Sequence, residues 1–358
     1  MSGLYLDIDE AKKILWDCFQ IKGRITLLPG ELDKNFKLKT ADGSQFVLKI
    51  SSSDADESYL DFQQAILTHL EKNSPNLETP KMLVSIKGAK TSEYTTEKGQ
   101  TLYIRLLTWI SGRVWSSMNP ITDDLRCQLG HGCGQITHAL KGFDHPHAHR
   151  YFEWDLAQGL WTREYLHLFT PSQKEVIATF LYQFESVQSS NSTLPKSMIH
   201  NDANDNNCIL SSDVFQPQLI GLIDYGDAIF TQVINDLAIA CSYAVMHQNN
   251  PLESALALVK GYHKSYPLTE EELDFLYICI AIRLIISVTK SAINKKEEPE
   301  NTYLTISERP AWDLLNKWKL ISSEFAGYSF RDACGFSAHP NQKAFENWAS
   351  KQSIQLSD

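Results

Sequence analysis

The sequence lacks the features of secreted, disulfide-stabilised and membrane-spanning proteins. Its seven cysteines are scattered through 358 residues without a CxxC pair, as expected in a reducing compartment. The N-terminus, MSGLYLDIDE, carries acidic residues where a secretory signal has basic and apolar regions. The longest apolar run, residues 275–288, is too short to cross a bilayer and contains Arg283, which favours a buried helix. We therefore expect a cytoplasmic protein without a membrane partner.

An excess of basic residues is also missing. The chain has 33 Lys and Arg against 43 Asp and Glu, for a formal net charge of -10. Sequence-independent binding to nucleic acid requires a basic surface, so no nucleic-acid partner is expected. One group resembles zinc ligands, namely Cys127, His131 and Cys133. It has no second ligand pair, and the small residues around it favour helix packing instead.

The pattern of the chain changes near residue 108. Residues 7–19 have apolar positions at helical spacing, with Asp7 or Asp9 as the candidate N-cap. Residues 35–40 and 45–50 flank an Asp-Gly turn, which predicts a β-hairpin. A helix at 56–72 and strands near 81–86 and 101–107 follow.

From residue 113 onward the pattern is mainly helical. The exception is 198–224, where two short strand-like segments bracket a polar loop. The predicted helices lie at 121–142, 172–189, 232–247, 251–265, 269–291 and 310–322. We predict an α+β chain with an N-terminal lobe (1–108) containing an antiparallel sheet and a larger, mainly helical C-terminal lobe (109–358).

The polar loop, IHNDANDNNCIL at 199–210, has the residue types that phosphoryl transfer requires. That reaction needs a carboxylate for the attacking hydroxyl, oxygen ligands for a nucleotide-bound Mg²⁺, and a lysine for the phosphates. Asp202, Asn207, Asp224 and Lys49 are of these types and follow strand-like segments or end them. His200 is expected to be structural. Asp236 is expected to be an N-cap that also anchors the loop.

The motifs IHNDANDNN, GLIDYGD and NDLAIA resemble the aminoglycoside phosphotransferase and choline kinase superfamily. The segments RLLTWISGR, GYHKSYPLTEEELDFL and ENTYLTISERPAWDLL are similar more specifically to hydroxylysine kinases and to the phosphotransferase domain of bacterial phosphotransferase–aminotransferase fusions. The resemblance covers nearly the whole chain. It implies the two-lobed fold of protein kinases.

The resemblance also implies roles for individual residues. Asp202 would be the catalytic base, Asn207 and Asp224 the Mg²⁺ ligands, and Lys49 the contact to the α- and β-phosphates of ATP or GTP. The base of the nucleotide would lie under residues 106–110. Its edge would be read by the carbonyl of Thr108 and the amide of Ile110.

Two parts of the family pattern are incomplete. The phosphate-covering loop is expected at 27–38, where Gly30 stands but no GxGxxG occurs. The partner of Lys49 on the following helix is open among Glu57, Asp61 and Gln63.

The substrate pocket is expected on the helical side of Asp202. A substrate ammonium requires an anion or aromatic rings, and the candidates are Asp227, Asp155, Trp154 and Trp312. A substrate carboxylate requires a cation, for which Arg283 is the candidate because it interrupts an apolar helix. The alternative is that Arg283 pairs with a structural acid such as Glu308 or Asp274.

The sequence therefore favours a Mg²⁺- and nucleotide-dependent kinase of a small hydroxyl-bearing amine, with 5-hydroxylysine or a related amino alcohol first. Choline, ethanolamine, homoserine and aminoglycosides are alternative acceptors. A non-catalytic pseudokinase predicts loss of Asp202, Asn207 or Asp224, and none is lost. A metal-dependent hydrolase would need a second metal-binding pair, and His145, His147 and His149 do not form one.

Overall fold

The computed structural model describes residues 6–30, 33–73, 76–97, 99–297, 307–339 and 341–351. The strands are β1 (Arg24–Leu28), β2 (Lys34–Lys39), β3 (Gln45–Ser52), β4 (Thr91–Thr95), β5 (Thr101–Thr108), β6 (Arg113–Val114), β7 (Lys196–Ile199), β8 (Cys208–Leu210), β9 (Leu219–Leu222) and β10 (Ile229–Gln232). The helices are α1 (Ile8–Phe19), α2 (Glu57–Asn73), α3 (Asp123–Ala139), α4 (Pro171–Asn191), α5 (Ile234–Ala244), α6 (Pro251–Ser265), α7 (Glu270–Glu297), α8 (Glu308–Trp318), α9 (Ser323–Ala333) and α10 (Gln342–Lys351). A 3-10 segment, Leu156–Leu168, precedes α4.

Five strands of the N-terminal part form one antiparallel sheet in the order β1–β2–β3–β5–β4. Helix α1 covers one face of this sheet with an apolar stripe that includes Ile14 and Leu15. The helix begins after Asp7, whose carboxylate accepts the amide of Glu10 at 2.8 Å in a capping box. The predicted helix at 7–19, its cap and the predicted hairpin are therefore confirmed.

The predicted strand at 81–86 is wrong. Within that segment Met82 makes only an isolated bridge to Leu107, and Val84 and Ile86 are more than half exposed. The edge of the sheet is formed instead by β4, whose sequence TSEYT has little apolar pattern. The phosphate-covering loop expected at 27–38 comprises the end of β1, the β1–β2 connection and most of β2. Residues 31 and 32 lie outside the described part.

Helix α7 is the centre of the helical part. Its length and composition would suit a membrane span, but 83% of its apolar window is buried inside the protein. The helices α5, α8, α9 and α4 and the 3-10 segment pack around it. The apolar run at 275–288 is therefore the core helix that the sequence predicted.

Helices α3 and α6 approach each other at two glycines. A Cβ on Gly130 would lie 1.9 Å from the backbone oxygen of Leu258, and one on Gly261 would lie 1.9 Å from the backbone oxygen of Cys127. The two backbones are therefore in direct contact. Alanine at either position requires the helices to separate.

We expect Gly130→Ala to lower the free energy of unfolding by about 2 kcal/mol or more, because the added methyl group overpacks the interface. Gly327→Ala in α9 is the control, since the nearest atom to its Cβ, Asp274 Oδ1, is 3.7 Å away. Gly327→Ala should stabilise the protein by up to about 1 kcal/mol through helix propensity. Urea unfolding of both variants measures this. Equal effects would contradict the close helix contact.

Candidate active site

The polar loop between β7 and β8 is held by a buried histidine. His200 Nδ1 accepts the backbone N–H of Asp202 at 3.1 Å, so its Nε2 carries the proton and donates to the carbonyl of Ile223, also at 3.1 Å. Burial lowers the pKa of His200 to about 4, which keeps the ring neutral. One side chain thus connects Asp202 to the residue that precedes Asp224.

A second buried side chain holds the same loop from the helical side. Asp236 Oδ1 accepts the backbone N–H of Asn201 at 3.0 Å, and its Oδ2 accepts the hydroxyl of Thr137 at 2.9 Å. Asn201 has a positive φ of 64°, an uncommon conformation for a residue with a side chain. Burial raises the pKa of Asp236 to about 6.

The role predicted for Asp236 is half correct. It anchors the loop, but it is not the N-cap of its helix. Helix α5 begins at Ile234, its N-cap is Val233 with no side-chain hydrogen bond, and Asp236 lies in the first turn. The carboxylate is directed to the loop because the amide of Asn201 is within reach there.

Asp202 lies at the centre of a small hydrogen-bond network. Its Oδ1 pairs with Arg283 Nη2 at 2.7 Å, and its Oδ2 accepts the amide N–H groups of Asn204 at 2.9 Å and Asn207 at 2.7 Å. Because the nitrogen of Asn207 is used in this way, its Oδ1 is the atom available to a metal ion. Burial raises the pKa of the Asp202 carboxyl, while Arg283 opposes this effect.

Lys49 and Asp224 face each other across the same site. Lys49 Nζ is 3.7 Å from Asp224 Oδ1, and its charge lowers the pKa of the Asp224 carboxyl. Asp224 has φ 65° and ψ 79°, so the backbone turns sharply where β9 ends.

None of the three expected partners of Lys49 is bonded to it in the described residues. Glu57 accepts from Tyr103 at 2.7 Å, Asp61 contacts His145 at 3.1 Å, and Gln63 accepts from Arg105. The question left open by the sequence therefore has a different answer: the acid beside Lys49 is Asp224.

Sequence reasoning missed a buried cation next to Lys49. Arg105 on β5 stands directly opposite Lys49 on β3, so both side chains project from the same face of the sheet. Arg105 is 1% exposed and pairs with Asp33 at 2.7 Å, and it also donates to Ser51 at 2.9 Å and to Gln63. The sequence RLLTWISGR carries no signal that this arginine is buried, so its role could be seen only in the structure.

Two adjoining cavities meet at these residues. The first, of about 310 Å³, is lined by polar groups that include Asp202, Asp227, Arg283 and Lys290. The second, of about 430 Å³, is mostly apolar. Its lining includes Val47, Leu67, Met82, Leu107, Thr108, Trp109, Ile110 and Ile209. Lys49, Asn207 and Asp224 line both cavities.

The cavities separate the predicted substrate residues into two groups. Asp227, Arg283 and Trp154 line the polar cavity, and the Arg283 guanidinium lies 4.5 Å from the centre of the Trp154 ring. Asp155 and Trp312 lie elsewhere. Asp155 is buried and accepts from Thr231 at 2.9 Å and from the amide of Ala157 at 3.1 Å. The Trp312 ring is in the core, 5.6 Å from that of Phe169.

Arg283 has a partner that the sequence did not suggest. The acids proposed for it are engaged by other cations, Glu308 by Lys295 and Asp274 by Arg331, and Arg283 binds Asp202 instead. Within the described part of the chain, its Nε and Nη1 make no hydrogen bond. Both atoms are buried, so the polar contact that Arg283 makes at the cavity is its pair with Asp202.

The neutral state of His200 predicts a pH-dependent stability. Above pH 6.5 the folded and unfolded forms are both neutral at this ring. As the pH falls toward 4, only the unfolded form takes up the proton, so stability is lost. The destabilisation caused by His200→Gln, which cannot titrate, should therefore be smaller at pH 5 than at pH 7 by about 2 kcal/mol. Urea unfolding at both pH values measures this, and a constant difference would contradict it.

Comparison with known proteins supports the kinase resemblance. Residues 24–276 match the phosphotransferase enzyme family. The hydroxylysine kinase of Xenopus laevis is 26% identical over 336 residues, covering 87% of this chain and 89% of the relative. The hydroxylysine kinase of Mus musculus is 25% identical over 334 residues, covering 86% and 88%.

Solved structures show the same fold. Amicoumacin kinase in complex with AMP-PNP and Ca²⁺ superimposes with a TM-score of 0.64 at 15% identity, covering 87% of this chain and 94% of that one. A microcompartment-associated aminopropanol kinase gives a TM-score of 0.58 at 16% identity, covering 92% and 99%. The expected kinase-like α+β fold, with an antiparallel sheet followed by a mostly helical region, is confirmed. This chain belongs to the phosphotransferase enzyme family.

Proposed function

We propose that this protein transfers the γ-phosphate of ATP or GTP to the hydroxyl of an amino alcohol or hydroxy amino acid, with 5-hydroxylysine as the first candidate. The observation that carries the proposal is the position of Asp202 in a polar cavity that adjoins an apolar one, with Lys49, Asn207 and Asp224 at their junction. The hydroxylysine kinases that align over most of the chain support this choice of acceptor. We place the reaction in the cytoplasm.

The apolar cavity suits the base of a nucleotide. Its walls offer flat apolar contact, and the proposed edge-reading groups, the carbonyl of Thr108 and the amide of Ile110, belong to residues of its lining. Lys49 lies where this cavity meets the polar one, so a nucleotide in the apolar cavity would direct its phosphates toward that ammonium group.

The proposed metal ligands have the chemistry that Mg²⁺ prefers. Asn207 offers an amide oxygen because its nitrogen is bound to Asp202, and Asp224 offers a carboxylate that Lys49 keeps ionised. Two protein oxygens suit an ion that arrives with its nucleotide and keeps phosphate and water ligands. When bound, Mg²⁺ would neutralise charge on the phosphates.

Asp202 would orient the acceptor hydroxyl and accept its proton. A carboxylate whose pKa is raised is a better base near neutral pH than an exposed aspartate. Arg283, Asn204 and Asn207 fix both carboxylate oxygens, so the group is held in one orientation before the acceptor binds.

We place the ammonium of the acceptor near Asp227 and Trp154. Arg283 would hold the carboxylate of Asp202 in its orientation. Asp155 and Trp312 are left out of the proposed pocket. The hydrogen bonds of Asp155 are made inside the protein, and Trp312 packs in the core. A pseudokinase is disfavoured because Asp202, Asn207, Asp224 and Lys49 are all present and close together.

We expect Asp202→Asn to reduce kcat for 5-hydroxylysine phosphorylation about 10²- to 10⁴-fold, because the amide cannot accept the hydroxyl proton. Nucleotide affinity should change little, since Asp202 is outside the apolar cavity. The measurement is ADP or GDP release with 5-hydroxylysine, ethanolamine, choline, homoserine and kanamycin in turn. Asp213→Asn, in the exposed β8–β9 connection, is the matched control and should retain full activity. Undiminished turnover in Asp202→Asn would contradict the proposed base.

We also propose that the pair of Arg105 and Asp33 holds the end of the β1–β2 connection near the nucleotide. Asp33 is the last residue of that connection and lines the polar cavity, and Arg105 lines the apolar cavity. Asp33→Asn should therefore raise KM for the nucleotide about 10-fold, with a smaller change in kcat.

Asp274→Asn is the matched control for this variant. Asp274 pairs with Arg331 at the same distance of 2.7 Å, and neither residue lines either cavity. Asp274→Asn should lower the melting temperature without changing KM. If both variants have the same KM for the nucleotide as the wild type, the positioning role of Arg105 and Asp33 is wrong.

A further inference from the structure

The part of α7 that faces the polar cavity is polar, although most of the helix is buried and apolar. The cavity-lining residues of α7 are Arg283, Ser287, Lys290, Ser291 and Asn294. Lys290 and Ser291 are adjacent and the other steps are three or four residues, so at 3.6 residues per turn all five lie on one face of the helix. Lys290 follows Arg283 by seven residues, or about 10.5 Å along the helix axis. The cavity therefore has one cation beside Asp202 and a second one farther along the same wall.

The second cation is paired with an acid that precedes Trp154. Lys290 Nζ forms a salt bridge with Glu153 and lies 5.3 Å from the centre of the Trp161 ring. Trp161 Nε1 donates to the backbone carbonyl of Glu153 at 2.8 Å, which fixes that backbone. The successive residues Glu153 and Trp154 thus face Lys290 and Arg283, respectively.

A lysine and a glutamate held side by side are complementary to a zwitterion. The lysine ammonium would bind a carboxylate, and the glutamate would bind an adjacent ammonium. Both groups are carried on one carbon atom in an α-amino acid. Lys290 lines the polar cavity and Glu153 lies just outside its lining, so the pair marks the outer end of the cavity. Both side chains are partly exposed there, with relative side-chain accessibilities of 23% and 41%, so an incoming ligand can reach them.

The length of the cavity wall matches a long acceptor. In extended 5-hydroxylysine, the hydroxyl oxygen and the carboxylate are about 7 Å apart, given carbon–carbon bonds of ~1.5 Å. A hydrogen bond of about 2.8 Å at each end brings the span to about 13 Å. This is somewhat longer than the ~10.5 Å rise between Arg283 and Lys290 along α7, and the flexible lysine side chain can take up the difference. Ethanolamine has no group that would reach the second cation.

We propose that Lys290 and Glu153 form a subsite for the α-amino-carboxylate group of the acceptor, Lys290 binding the carboxylate and Glu153 the α-ammonium. This inference rests on the proposed kinase function and assigns its acceptor to the long hydroxy amino acids. The amine beside the reacting hydroxyl then lies at the opposite end of the cavity, toward Asp227.

The test compares two acceptors that differ by one carboxylate, 5-hydroxylysine and 1,5-diaminopentan-2-ol. Lys290→Met keeps the length of the side chain and removes its charge. It should lower kcat/KM for 5-hydroxylysine about 10- to 100-fold, mainly through KM. The kcat/KM for 1,5-diaminopentan-2-ol should change less than about 3-fold. Lys290→Arg should restore most of the loss. Glu153→Gln should weaken both acceptors alike, because both carry the distal ammonium.

Lys295→Met is the matched control, since Lys295 is on the same helix as Lys290 and pairs with an acid, Glu308 of α8, but does not line the polar cavity. It should leave kcat/KM for both acceptors unchanged. An equal loss for both acceptors in Lys290→Met, or a wild-type protein that does not prefer 5-hydroxylysine, would overturn the subsite and leave the kinase function intact. If the wild type phosphorylates neither acceptor, 5-hydroxylysine is not its acceptor and the subsite is wrong; turnover of ethanolamine, choline, homoserine or kanamycin would then show whether the kinase function holds.

Discussion

The hydrogen bonds of His200 are the constraint on which the site depends. A neutral, fully buried imidazole accepts from the amide of Asp202 and donates to the carbonyl of Ile223, so it fixes two separate chain segments relative to each other. Asp236 holds the adjacent amide of Asn201 from the other side. The proposed base and the proposed metal ligand Asp224 thus have a defined separation before any ligand binds. Preorganisation of this kind makes positioned groups effective in catalysis.

The two cavities divide the work of a phosphoryl transfer between different physical environments. In the proposed reaction, the apolar walls would accept a flat base and the polar cavity a charged acceptor. Charged groups with opposite signs lie where the two meet. The same junction is approached from the N-terminal sheet by Lys49 and, beneath it, by the buried pair of Arg105 and Asp33. A buried arginine that lost its carboxylate would be left with an uncompensated charge, so this pair constrains where Asp33 and the start of β2 can lie.

Much of the site could be predicted from the sequence because its members are close in the chain or end recognisable strands. Asp202, Asn207 and Asp224 lie within 23 residues and flank the short strands β8 and β9. Contacts between distant segments could not be predicted in this way. Arg283 and Asp202 are 81 residues apart, and Arg105 and Asp33 are 72 apart, so no local pattern connects them. Strand β4 was not predicted, and the strand predicted at 81–86 is not present. Both errors concern the edge of the sheet, where a strand requires neither apolar alternation nor burial and an apolar segment need not be a strand.

The central claim is that the acceptor of the phosphate is the hydroxyl of a small amine and not water. The most direct measurement is ³¹P NMR of the wild-type protein with Mg²⁺, ATP and 5-hydroxylysine. The account predicts a new phosphomonoester resonance, coupled to the proton on the hydroxyl-bearing carbon, that grows in step with ADP. Inorganic phosphate as the sole new product, or nucleotide that binds without being consumed, would contradict it.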